Sequence, residues 1–116
     1  MRKFQRGLIG VEQGTEILFS HCASGGEMWT GEGPREIRKS VTFSEAFASP
    51  PVVQLSFSLW DMDKSANIRA DLSSENVTET GFEIVFRTWG DTKVARMRAD
   101  WTAMGEVAGE DDWVIS

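Results

Sequence analysis

The chain has 116 residues, of which 41% are hydrophobic, and a formal net charge of −6 at pH 7 with a pI of about 4.7. This length fits one domain with a core large enough to fold alone. Nucleic-acid binding depends on basic patches, so the acidic balance argues against a nucleic-acid partner. No apolar run is long enough for a signal peptide or a membrane span, which predicts no membrane insertion and a protein that is cytoplasmic or exported by a non-classical route.

The first third of the chain contains one predicted strand and a long loop. Residues Gln5–Gln13 carry apolar side chains among glycines, which is typical of a strand that is irregular or lies at the edge of a sheet. From Ser20 to Pro34 the chain is rich in Gly, Ser, Glu and Thr, and long loops in compact domains are often functional. This loop contains Cys22, the only cysteine, so an internal disulfide is impossible, and Glu32 lies near its end.

Three further strands are predicted in the middle of the chain by alternating apolar residues. They lie around Ile37–Phe43, Val53–Leu59 and Ile68–Ser73. The second has the cleanest alternation, which predicts a central strand. In the third, the even-numbered residues are expected to face the core and the odd-numbered ones the solvent.

The stretch Gly81–Trp101 reads as two alternating runs joined by a turn. Their inward residues are Phe82, Ile84 and Phe86 in the first run and Met97, Ala99 and Trp101 in the second. Gly90-Asp91 supplies a tight turn, since glycine accepts positive φ, so the two runs predict a β-hairpin. Trp89 falls on the polar face at the end of the first run, where a large exposed aromatic needs a partner.

Six closely spaced strands with no convincing helix predict an all-β fold, an antiparallel sandwich or barrel. We expect one domain over residues 1–104, followed by an acidic tail over residues 105–116. The tail is expected to be solvated, with docking through Trp113 as the alternative.

Enzyme chemistry finds little support in the sequence. Only His21 could act as a base at neutral pH, and its neighbour Cys22 would point to the opposite side of an extended segment. The DMDKSAN turn imitates the opening of a calcium loop, but Ala66 and Leu72 stand where glycine and a bidentate glutamate are needed. We therefore expect no catalytic residues, no metal and no cofactor.

A binding constellation remains, formed by outward Arg69 and Trp89 with Glu32 on a loop that could reach them. An aromatic face packs on the C–H side of a pyranose, while a carboxylate and a guanidinium hold vicinal hydroxyls by charge-assisted hydrogen bonds. The alternatives are a plain surface arginine and a tryptophan at an oligomer contact.

Three sequence blocks carry a family resemblance: VTFSEAFASPPVV, LWDMDKSANIRADLSSENVTETGF and TWGDTKVARMRADW. Together they resemble the H-type lectin domain of snail agglutinins and of the C-terminal region of discoidins, over roughly Gln5 to Ala103. The resemblance implies a six-stranded antiparallel β-sandwich that assembles as a homotrimer. It also implies binding of galactose or N-acetylgalactosamine type sugars, without metal, at clefts between subunits.

The same resemblance assigns the sugar site residue by residue. The acidic pocket residue of the snail lectins aligns with Glu32, their arginine with Arg69 and their aromatic platform with Trp89. Gly90 stands where they have a histidine, and Ala95 where they have a tyrosine. The predicted carbohydrate-binding residues are Glu32, Arg69, Trp89 and Gly90.

The sequence thus predicts a non-enzymatic lectin for glycans that forms a trimer or a dimer of trimers. Val85, Val94 and Trp60 are expected on faces that would be exposed to solvent in an isolated sandwich, which favours assembly. The main alternative is a structural oligomerisation domain of the same fold without a sugar site, and the less favoured one is a hydrolase on a β-scaffold.

Overall fold

The structure is a computed structural model, which describes residues 1–5, 7–21 and 24–109. It contains two three-stranded antiparallel sheets, one with the order β1-β6-β3 and the other with the order β2-β5-β4. We name them the β6 sheet and the β5 sheet after their central strands. The strands are β1 (Leu8–Ser20), β2 (Arg35–Thr42), β3 (Val52–Met62), β4 (Asp71–Glu75), β5 (Gly81–Thr88) and β6 (Val94–Val107), with one short helix α1 (Glu27–Thr30). The predicted six-stranded antiparallel β-sandwich is confirmed.

The core lies between the two sheets, where alternation places the apolar residues of β5 opposite those of β6. Four aromatic rings pack together at one end of the core, with centroid separations of 5.0–5.9 Å: Phe43, Phe47, Phe82 and Trp101. Trp101 lies across from Gly14 of β1, and a Cβ at that glycine would come within 2.5 Å of the indole. Glycine is therefore required on β1 to make room for the buried tryptophan.

The predicted hairpin between β5 and β6 is wrong. β5 pairs with β2 and β4, whereas β6 pairs with β1 and β3, so the turn after Trp89 carries the chain from one sheet to the other. The inward faces of both runs were predicted correctly, because alternation fixes which side a residue faces but not which strand lies beside it. The turn itself is as expected, since Gly90 has a φ of +68°.

The assignment of β3 to a central position is also wrong, because β3 forms an edge of its sheet and β6 lies in the centre. The prediction of an edge position for the first strand is confirmed, although β1 is longer than expected. A bulge after Phe57 shifts the register of β3, so that Leu59 pairs with Arg98 and Trp60 with the buried Met97. Trp60 stays 60% exposed at the open edge of the sandwich.

The strand predicted over Ile68–Ser73 begins later than expected. β4 begins at Asp71, and Ile68, predicted to face the core, is 64% exposed. At the other end of the chain, β6 runs to Val107, past the predicted domain boundary at residue 104. Trp113 and the rest of the tail from residue 110 lie outside the described residues.

Two of the three residues expected to drive assembly are buried within the subunit. Val94 belongs to the core, and Val85 is fully buried on the outer face of the β5 sheet, which no other strand of the described residues covers. Arg38 of β2 lies beside Val85 and reaches Glu75 of β4 at 3.1 Å, so this ion pair spans β5 and covers the valine. Arginine stems commonly shield apolar surface in this way.

Candidate functional site

The predicted site residues lie at one end of the β5 sheet, on the loops and the turn that adjoin its strands. Pairing of β2, β5 and β4 places Glu36, Arg87 and Asp71 in one cross-strand row on that face. The end pair of β2 and β5 is Arg35 with Thr88. Pro34 directly precedes Arg35 and Trp89 directly follows Thr88, so both lie just beyond this pair, and Trp89 is 45% exposed. The prediction that Trp89 lies on the polar face at the end of a strand is confirmed.

Gly90 is the point at which the surrounding segments meet. Its carbonyl oxygen accepts a hydrogen bond of 2.9 Å from the backbone N–H of Gly33, which ties the loop that carries Glu32 to the turn. A Cβ built on Gly90 would come within 3.0 Å of Arg69 Nη1. The guanidinium of Arg69 therefore packs against Gly90, and the positive φ adds to the strain of any larger residue at this position.

Arg69 is held by an ion pair rather than left free on the surface. Its Nη1 donates to Asp91 Oδ1 at 2.7 Å, and Asp91 also accepts from the side-chain amide of Asn67 at 3.3 Å. The hydrogen bond from Arg69 lowers the pKa of Asp91, so the pair stays charged further into the acid range than a free aspartate would. Thr88 Oγ1 donates to the backbone oxygen of Arg69 at 2.5 Å, which holds the backbone at Arg69 against the end of β5.

A buried arginine supports the site from below. Arg35 is 4% exposed and donates to three backbone oxygens, those of Gly33 at 2.9 Å, Met28 at 3.4 Å and Gly90 at 3.2 Å. It thereby joins α1, the loop and the turn after β5. The sequence prediction missed Arg35, although the alternation of β2 places it on the inner face with Val41, where a charged residue needs partners.

The structure brings three of the four predicted residues together. Arg69, Trp89 and Gly90 meet at the turn, and Glu32 is the chain neighbour of Gly33, which is bonded to that turn. Glu32 is exposed, and its carboxylate makes no hydrogen bond within the described part of the chain. Ala95 is 5% exposed, so its side chain adds nothing to the surface of the site.

An open pocket of about 530 Å³ adjoins Trp89 on the outer face of the β5 sheet. Its lining residues are Pro34, Arg35, Glu36, Asp71, Arg87, Thr88 and Trp89. Among the predicted site residues only Trp89 lines it, so the tryptophan is shared between the turn and this pocket. The prediction did not single out Asp71 or Arg87, because their proximity depends on strand register.

The histidine considered as a base has a structural role. His21 is partly buried, and its Nδ1 accepts the backbone N–H of Met28 at 3.1 Å, which holds α1 against the end of β1. Its neighbour Cys22 lies outside the described residues. Within the described ranges, no cluster of three or more histidine, cysteine or carboxylate side chains is arranged to hold a metal ion, and no helix is long and apolar enough to cross a membrane.

A two-sheet antiparallel sandwich that presents an exposed tryptophan, a guanidinium and carboxylates at one strand end has the form of a β-sandwich binding domain. A family model described as the H-type lectin domain matches residues 38–104, which is more than half of the chain. The chain therefore belongs to the H-type lectin domain family. This family and fold are of a non-enzymatic type and support a carbohydrate-binding lectin.

Similar proteins fall into two groups. The chain is 56% identical over 107 residues to the "ATP synthase subunits region ORF 7" protein of Fuscovulum blasticum and covers 93% of it. It is 40% identical over 75 residues to a discoidin-1 polypeptide of Dictyostelium discoideum, which is 64% of this chain but only 30% of the discoidin. Among solved structures, discoidin II of the same organism superposes with a TM-score of 0.73 at 27% identity, covering 87% of this chain and 38% of discoidin II.

Proposed function

We propose that the chain is a lectin for galactose or N-acetylgalactosamine type sugars, bound at clefts between the subunits of a homotrimer. The observation that carries this proposal is the convergence of Trp89, Arg69 and the Glu32 loop on Gly90, at the exposed end of a sheet in an H-type lectin fold. Each of these residues has a chemistry that suits a neutral sugar.

The roles follow from exposure and from the partners of each side chain. Trp89 supplies the platform, because its half-exposed indole can stack on the C–H face of a pyranose. Arg69 is positioned by Asp91 and keeps further N–H donors for ring hydroxyls. Glu32 supplies acceptors that no described residue occupies. Gly90 leaves the space into which Arg69 packs.

The outer face of the β6 sheet is the surface that supports self-association. One cross-strand row is apolar and exposed, formed by Val11, Met104 and Val52. The row below it is uncharged, formed by Gln13, Thr102 and Gln54, and Gln13 donates to Thr102 at 3.3 Å. The third row contains one charge, that of Asp100, which accepts a hydrogen bond of 2.8 Å from Thr15. These three rows carry less charge than the outer face of the β5 sheet and suit contact with further copies of the chain.

In solution we expect a particle of three times the 12.9 kDa chain mass. Met104→Lys should convert it to monomers, because it places a charge in the middle of the apolar row. Light scattering at micromolar concentration measures this. Ile68→Lys, which places the same charge at a more exposed apolar residue on the loop before β4, is the control and should remain trimeric. A monomeric parent protein would contradict the proposed assembly.

A glycan array tests the lectin function directly. We expect signal on glycans that end in galactose or N-acetylgalactosamine, and loss of that signal when the free sugar is added. Silence on every glycan from a folded trimer would contradict the lectin and favour a structural oligomerisation domain, an alternative that the apolar row on the β6 sheet also fits. Release of a cleaved product would contradict both.

A further inference from the structure

We infer that the pocket beside Trp89 is a second saccharide subsite, which takes the next residue of an oligosaccharide whose terminal sugar occupies the proposed site. The inference rests on the proposed function and extends it from single sugars to linked ones. The pocket volume of about 530 Å³ lies within the range of small-molecule sites, roughly 300–1,000 Å³.

The floor of the pocket holds a hydrogen-bond donor, Arg87 Nη1, and an acceptor, the Asp71 carboxylate, that do not hydrogen-bond to each other. Arg87 donates through Nε to Glu36 at 2.8 Å and through Nη2 to Glu75 at 2.9 Å. Its Nη1 lies 3.9 Å from Asp71 Oδ2, which is too long for a hydrogen bond. The Asp71 carboxylate is half exposed and accepts no hydrogen bond from the rest of the described chain.

This pair selects the chemistry of the ligand. A hydroxyl group both donates and accepts, so it can accept a hydrogen bond from Arg87 Nη1 and donate one to the Asp71 carboxylate. The lining carries two guanidinium groups, Arg35 and Arg87, and two carboxylates, Glu36 and Asp71, so its charges balance and favour neither an anion nor a cation. The pocket is therefore suited to a neutral, hydroxyl-rich ligand.

Two features connect the pocket to the terminal-sugar site. Trp89 belongs to both, and together with Pro34 it gives the pocket an apolar wall. Asp71 follows Arg69 by two positions along the chain, and two extended residues span at most about 7 Å. A second sugar in the pocket would thus lie directly beside the first.

The test compares linked and single sugars on the same protein. Calorimetry measures the affinity for methyl galactoside, for methyl N-acetylgalactosaminide and for disaccharides that carry these sugars at the non-reducing end with different linkages. We expect at least one disaccharide to bind about tenfold more tightly than its terminal sugar, which corresponds to about one hydrogen bond to a charged group. Asp71→Ala should remove this gain and leave the affinity for the single sugar unchanged.

The controls separate this inference from the proposed function. Glu79→Ala removes an exposed carboxylate outside the pocket and should leave both affinities unchanged. If no disaccharide binds more tightly than its terminal sugar, or if Asp71→Ala keeps the full gain, the second subsite is wrong while the lectin function stands. An equal loss for single and linked sugars in Asp71→Ala would also overturn it. Binding of no saccharide by the parent protein would overturn both.

Discussion

Trp89→Ala is expected to lower the affinity for a galactose-type sugar by about 100-fold or more, because the platform for the sugar ring is removed. Folding should hardly change. The indole is 45% exposed and lies beyond the end of β5, so its removal should alter the free energy of unfolding by no more than about 0.5 kcal/mol. Calorimetry with the sugar identified on the array measures the affinity, and urea denaturation measures the stability.

Trp60→Ala is the matched control for this change. Trp60 is more exposed than Trp89, at 60%, but lies at the edge of the β6 sheet, so its loss should leave sugar affinity near that of the parent. If Trp89→Ala bound the sugar as tightly as the parent, the site would lie elsewhere. If it instead dissociated the trimer, Trp89 would be an interface residue, and the loss of affinity would no longer identify it as the platform.

The sequence predicted which side each strand residue faces better than it predicted which strands are neighbours. Phe86 and Met97 were both expected to face inward, and both are fully buried. They come from different sheets, however, and face each other across the core. A hairpin and a crossover between sheets produce the same alternation, so only the pairing of β5 with β2 and β4 distinguishes them.

Local irregularities account for further differences. The bulge after Phe57 reverses the sides of the residues that follow, so the apparent alternation through Leu59 and Trp60 was misleading. Val85 was expected to be exposed to solvent, but cross-strand ion pairs of Arg38 cover it. Such coverage depends on long side chains of neighbouring strands and cannot be read from the pattern of one strand.

The candidate site was predictable where it depends on chain neighbours. Trp89 and Gly90 are adjacent, and glycine at the turn signals a positive φ. The pairing of Asp71 with Arg87 depends on register between strands that are distant in sequence, so it emerged only from the structure. Arg35 was predictable only in part. Its inward position follows from alternation along β2, but the three carbonyl oxygens it binds do not.

Arg35→Met is expected to destabilise the domain by about 2–4 kcal/mol and to lower its melting temperature by about 10–20 °C. Methionine keeps the apolar stem but removes the donors, so the carbonyl oxygens of Met28 and Gly33 lose the hydrogen bonds they receive from this side chain. Gly90 keeps one donor, the N–H of Gly33. Urea denaturation measures the loss, with Arg96→Met as the control, since Arg96 is half exposed and its single ion pair with Asp61 contributes less than about 1 kcal/mol.

The same substitution links stability to binding. Arg35 joins the Glu32 loop to the turn that carries Trp89 and Gly90, so its removal should also weaken sugar binding at temperatures where the variant is still folded. The expected loss is about tenfold, because the Glu32 carboxylate would have to be ordered each time a sugar binds. Calorimetry at low temperature separates this effect from unfolding. An unchanged affinity in a destabilised but folded Arg35→Met protein would show that the backbone bond from Gly33 to Gly90 holds the loop without the arginine.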